Sequence, residues 1–159
     1  MSDADLVASG ILGTFVILLL IILLVWYALY SLSHMKALKV LGYNKPWLAW
    51  LAPLGLYWAL AAVALDLDGE YDMEIFSFRI PGIAFKLWYL IGLAISLIPV
   101  IGSILNIVFT VVCAGTCYIK IYAKLDEKDE SEVRVIGYLS GLLPIIAVVK
   151  FLTGKYSAS

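Results

Sequence analysis

Between Lys86 and Lys120 the chain runs for 33 consecutive positions without a charge. The apolar stretch from Ile83 to Ile119 covers 37 residues in all. As one helix it would be about 55 Å long, whereas the hydrocarbon core of a bilayer is only about 30 Å thick. Such a stretch is too long for one upright crossing and suits two. Its middle supplies a break: in Leu97-Ile98-Pro99-Val100-Ile101-Gly102-Ser103 a proline stands three residues before a glycine. Pro99 lacks the amide proton that a continuing helix needs, and Gly102 is free to take the positive φ of a tight turn. The expectation is a membrane hairpin hinged at Pro99 and Gly102, with other apolar segments packed around it.

Composition agrees with that reading. Of the 159 residues, 64% are hydrophobic and 14% charged, against about 45–50% and about 25% in a soluble domain. Four or five crossings use most of the length, so residues 1–159 read as a single integral-membrane domain. The fold class expected is all-α, a polytopic transmembrane helical bundle. A net charge of −1 and the lack of a basic arm predict no nucleic-acid partner. Cys113 and Cys117 lie inside the apolar stretch and imply no disulfide scaffold.

Five candidate spans follow in order: residues 7–30, 46–65, 83–99, 102–121 and 135–152. Asp3 and Asp5 precede the first, whose charge-free core is longer than that of a cleavable signal. It closes on Trp26, Tyr27 and Tyr30, rings favoured at a membrane boundary. His34, Lys36, Lys39 and Lys45 come next without an acid, which predicts a cytoplasmic turn and an N-terminus outside. Pro53 and Gly55 interrupt the second segment, read as a kinked crossing over a competing re-entrant or interfacial helix. Residues 66–82 form an acidic loop on the outer face, with strand-like composition from Tyr71 to Ile80. Residues 122–134 are a mixed-charge linker, and the last segment is short unless Lys150 snorkels. A four-span alternative counts the hairpin as one crossing. It puts seven Lys/Arg inside and four outside, where five spans put five inside and six outside. The length of the apolar stretch favours five.

The residues with most chemical promise lie on the fourth span. Ser103, Asn106, Thr110, Cys113 and Cys117 recur at steps of three and four, which places them on one helix face. Such a stripe lines a pore or solute path, or it is a packing seam where small and hydroxylated residues let helices approach. The seam is the plainer reading. Asp66, Asp68, Glu70 and Asp72 form a weak cation-loop candidate, since hard cations take several carboxylates from one short loop. The glycine falls too early for an EF-hand, and a solvated loop is the plainer reading. Gly92-x-x-x-Ser96 and Gly137-x-x-x-Gly141 are further small pairs suited to close helix contact. No enzyme is expected. His34 is the only histidine and reads as an interface residue. No Ser-His pair or phosphate-cradling glycine loop appears, and Cys113-x-x-x-Cys117 lacks a third ligand, so neither metal nor cofactor is expected.

The run Lys36-Ala37-Leu38-Lys39-Val40-Leu41-Gly42-Tyr43-Asn44-Lys45-Pro46-Trp47-Leu48-Ala49-Trp50-Leu51-Ala52-Pro53, with the later Ile98-Pro99, resembles the signature of a group of small prokaryotic membrane proteins without assigned function. The likeness covers Met35 to Phe151 and departs from the group at Leu54-Gly55 and at the long charged linker. It implies a multi-pass protein of a prokaryotic cell membrane and carries no activity with it. The expected function is therefore that of a non-enzymatic accessory or scaffold subunit, bound to membrane lipids and to a membrane-protein partner or itself. A small oligomeric channel or carrier lined by the Asn106/Thr110 face is the alternative, with a membrane-active effector as a third.

Overall fold

The computed structural model describes residues 3–67 and 71–156, with side chains from Gly10 onward. The chain is all-α in character, 76% helical. Helix α1 (Asp3–Val40) leads into a 3-10 helix (Pro46–Leu51) and α2 (Leu54–Ala64). A small hairpin of β1 (Met73–Ile75) and β2 (Phe78–Ile80) follows. Then come α3 (Gly82–Lys86), α4 (Trp88–Ser96), α5 (Gly102–Asp126), α6 (Glu130–Leu142) and α7 (Pro144–Thr153). Among the described residues, two helices are long and apolar enough to cross a membrane, the Gly10–Val40 part of α1 and α5.

Helix α1 does not stop at Tyr30 but continues to Val40, 38 residues in all. Nothing between Gly13 and Gly42 breaks it, since proline and glycine are absent from that interval. It ends where Gly42 takes φ +74°. The Gly42 amide donates to Lys39 O and the Tyr43 amide to Leu38 O, at 3.1 and 2.9 Å. That pair of bonds is the Schellman cap, in which glycine takes the left-handed position without a Cβ penalty.

Helix α5 runs parallel to α1. His34 meets Tyr118, and further on Lys39 and Gly42 share a cavity with Lys124 and Leu125. Around these two helices the chain makes three excursions, each turned back at a proline. In the first, the Tyr27 hydroxyl donates to the Trp50 carbonyl. That puts Trp50 13 residues back from the end of α1, about 20 Å along the helix. Ala52 is extended before Pro53, as steric clash with a proline ring requires. Helix α2 then returns, and Lys124 Nζ at the end of α5 bonds Val63 O and pairs with Asp66 at 2.6 Å. In the second excursion α4 and α5 form an antiparallel pair, turned at Leu97 to Ile101, with Gly92 against Asn106 and Phe109. In the third, Glu130 of α6 pairs with Lys120 at 2.6 Å, α6 climbs past Ile119 to Val111, and Pro144 starts α7 back. Lys150 of α7 then reaches Asp126 at 2.6 Å.

The path of the chain differs from five alternating spans. Segment 46–65 ends near the C-terminus of α5, and α6 and α7 leave from and return to that same end. The linker 122–134 and Asp66 lie at the same end as the basic turn, whereas five alternating spans would put them on opposite sides. The physical cause is local. Leu143 is held extended at φ −124°, ψ 89° ahead of Pro144, which splits the last segment into two short helices. Segment 83–99 is also split, at Leu87, where one amide is shared between the Ile83 and Ala84 carbonyls.

The core gathers at the end where the helices converge. Trp88, Phe85, Leu56, Leu60, Ile121 and Phe151 are buried there. The rest of the apolar surface stays open. Every residue from Gly10 to Tyr27 is exposed, as are Leu97 and Val100 at the α4–α5 tip, at 82% and 95%.

Candidate functional site

The stripe of Ser103, Asn106, Thr110, Cys113 and Cys117 starts in the open and ends in the core. Ser103 is exposed near the hairpin tip, Asn106 and Thr110 are half-buried, and both cysteines are buried. Asn106 Oδ1 faces α4, where a Cβ on Gly92 would come within 2.6 Å of it. The same oxygen accepts a hydrogen bond from Thr110 Oγ1 at 3.4 Å. At Asn106 the face packs α5 against α4, and glycine at position 92 is what admits the amide. Cavities of about 360–500 Å³ lie elsewhere, lined by other residues.

Pro99 and Gly102 stand in the hairpin turn, with roles other than those expected. The left-handed residue is Val100, at φ +68°, rather than Gly102. Gly102 serves close approach instead, since a Cβ there would lie 2.5 Å from Ile95 O. A β-branched residue at positive φ stores roughly 1–3 kcal/mol of strain. Val100→Gly is thus expected to stabilise the purified protein by about 1 kcal/mol, read as a higher Tm. A lower Tm would show that the valine side chain is held by contacts outside this chain.

Of the cation-loop candidates, Asp68 and Glu70 lie outside the described residues. Asp66 is committed to Lys124, and Asp72 is exposed. Among the described residues, no three histidine, cysteine or carboxylate side chains converge as a metal site would need.

The centre that the sequence reading missed is His34. It is fully buried, between Tyr30, Tyr118 and Phe151. Its Nδ1 lies 2.8 Å from Tyr30 O and its Nε2 2.9 Å from Tyr118 Oη. A carbonyl only accepts, so Nδ1 carries the proton and donates to it, and Nε2 accepts from the Tyr118 hydroxyl. Ser33 Oγ donates to the same carbonyl at 2.8 Å. Beyond this, Tyr122 Oη and Ser140 Oγ are 2.7 Å apart, which carries the polar seam to α6. The sequence did hold a signal. Ser31, His34 and Leu38 follow one helix face, and no breaker separates them from the run that precedes. The basic residues beside His34 suggested an interface, yet Lys36 instead reaches across to α7, bonding Leu152 O at 3.3 Å and Gly154 O at 2.8 Å.

At the charged end, Asp126 ties α5 to α7. Lys150 Nζ meets its Oδ2 at 2.6 Å, and the Tyr156 hydroxyl donates to its Oδ1 at 3.2 Å. Burial, with the nearby Asp126 carboxylate, pushes the Tyr156 phenol up to about 12, so it remains a donor there. Lys150 therefore does not snorkel free; it is half of an ion pair over the Tyr122 ring. No protein family, curated protein or solved structure matches this chain.

Proposed function

We propose that the protein is a non-enzymatic accessory or scaffold component of a cell membrane, and that it meets its partner inside the bilayer through α1. In this reading α1 crosses with its N-terminus outside. The charged end, with Lys36, Lys39, Lys120, Lys124, Lys150 and Lys155, lies on the cytoplasmic side, as the positive-inside rule favours. The α4–α5 hairpin enters the bilayer from the same side and turns back at Leu97 to Ile101 without crossing. From Lys86 to Pro99 is 13 residues, about 20 Å of helix, short of the roughly 30 Å hydrocarbon core.

One observation carries the partner reading. Every residue of α1 from Gly10 to Ile22 is exposed, and the helix has a mean hydropathy of 2.8 over an 18-residue window of which none is buried; its own chain first meets it near Leu23 to Tyr27. Every other long apolar helix here is packed on at least one side. Gly10 and Gly13 have nothing within 4 Å, and small residues let a second helix come close. The stripe reading of a channel loses support because Asn106 and Thr110 bond each other against α4. Enzymatic readings lose support because both His34 nitrogens are engaged in the core.

Two experiments test this. Cross-linking from residues 10–27, followed by purification in mild detergent, is expected to yield a stable complex with another membrane protein or a second copy. A monomer with no cross-linked product sinks the proposal. For the topology, Lys45→Cys and Ser131→Cys are expected to react with an impermeant thiol reagent from the cytoplasmic side, and Ser2→Cys from the other. Labelling of Ser131→Cys from outside would restore an alternating topology. The native Cys113 and Cys117 are buried and give little background.

A further inference from the structure

Where α1 and α5 end side by side, a cavity of about 500 Å³ opens between them and the segment after α7. Its lining includes Lys39, Lys124, Lys155 and Tyr156, with Glu127 the one carboxylate. Lysines near helix C-termini are ordinary, since they offset the negative end of the dipole and bond its open carbonyls. Two lysines here do that work: Lys36 takes Leu152 O and Gly154 O, and Lys124 takes Val63 O and Asp66. Lys39 and Lys155 are left over. Both are exposed, and among the described residues neither has a carboxylate within ion-pair distance. Asp66 already offsets Lys124, so Lys39 and Lys155 against Glu127 leave the cavity with one positive charge in excess.

We propose that this cavity binds the phosphate headgroup of an anionic phospholipid, with Lys39 and Lys155 as its principal contacts and Lys124 at its back. The choice of a lipid follows from what borders the cavity. Val40, Leu41 and Leu125 form its apolar wall, and Leu32, seven residues before Lys39 on the same face of α1, is exposed, as are Val149 and Leu152 of α7. A headgroup held by the lysines would thus leave its acyl chains against leucine and valine. Basic pockets between helices on the cytoplasmic side are where anionic headgroups bind, each lysine near the surface adding to the attraction. The inference rests on the membrane orientation proposed above.

Native mass spectrometry of the full-length protein in detergent tests it, with dioleoyl phosphatidylglycerol and dioleoyl phosphatidylcholine as competing probes. The expected result is preferential retention of the phosphatidylglycerol. The double variant Lys39→Gln/Lys155→Gln, at exposed positions, is expected to lower that retention about tenfold. The control Lys45→Gln/Lys86→Gln removes as much charge outside the cavity and is expected to change it less than about twofold. Equal retention of the two lipids, or equal loss in the control, overturns the proposal. Displacement of the lipid by millimolar glycerol phosphate also overturns it, by showing a site for a soluble phosphate. Carbonate extraction of native membranes is read separately: release of the protein would sink the orientation itself, whatever the lipid measurement returns.

Discussion

Gly141→Val is expected to lower the thermal midpoint of the detergent-solubilised protein by roughly 6–12 °C, the shift that about 3 kcal/mol produces in a chain of this size. The contact between α6 and α5 is backbone against backbone. A Cβ at position 141 would lie 2.8 Å from Gly115 N and 2.9 Å from Val111 O. One turn earlier, a Cβ at position 137 would lie 2.9 Å from Ile119 N. Neither neighbour is the tip of a flexible side chain, so the helices must separate, and the Tyr122–Ser140 bond goes with them. Gly13→Ala, melted as the monomer so that no partner helix is seated on it, makes the control, because that position has open space and gains helix propensity. It is expected to leave the midpoint unchanged or raise it. A Gly141→Val protein that melts with the wild type would mean that α6 is not seated on α5.

His34→Ala should cost about 3–5 kcal/mol, from the emptied volume and from the stranded Tyr118 hydroxyl. The same midpoint measurement checks it. The seam makes a sharper claim through a pair of variants. Tyr118→Phe alone leaves Nε2 without its donor and is expected to cost about 1–2 kcal/mol. Adding Tyr118→Phe to His34→Leu is expected to recover part of the loss seen with His34→Leu, because an apolar partner leaves no orphaned group behind. If the losses simply add, His34 and Tyr118 do not hold one another.

The recovery matters beyond stability, because His34 sits where α1, α5 and α7 meet. It fastens the exposed part of α1 to the folded end of the chain, so loosening it should also weaken any complex formed through residues 10–27.

Much of this was legible from composition and punctuation. The charge-free run after Lys86 implied a hairpin, and the chain does turn between Leu97 and Ile101. The strand-like residues after Tyr71 do pair, Met73 with Ile80 and Ile75 with Phe78. Helix length was harder to read. Lysines were taken to end the first span, although lysine propagates a helix well and Lys36 and Lys39 lie within α1. The polar residues on α5 could be put on one face by counting, but not divided between packing and opening. That depended on which neighbour arrived, and Gly92 of α4 is 14 residues away from Asn106.

What the amino-acid order determined by itself is set by local energetics. Apolar helices, the Gly42 cap and the breaks at Pro53, Pro99 and Pro144 each arise within a few residues. Which end each segment returns to was decided by the fold alone. A proline says that a helix stops and leaves the direction of the next one open. Here that direction is held by contacts between residues far apart in the chain: Lys124 with Val63 and Asp66, Lys150 with Asp126, and His34 with Tyr118. Hydropathy counts how much of a chain avoids water. It does not say whether the next segment continues through the bilayer or turns back, because both bury the same side chains.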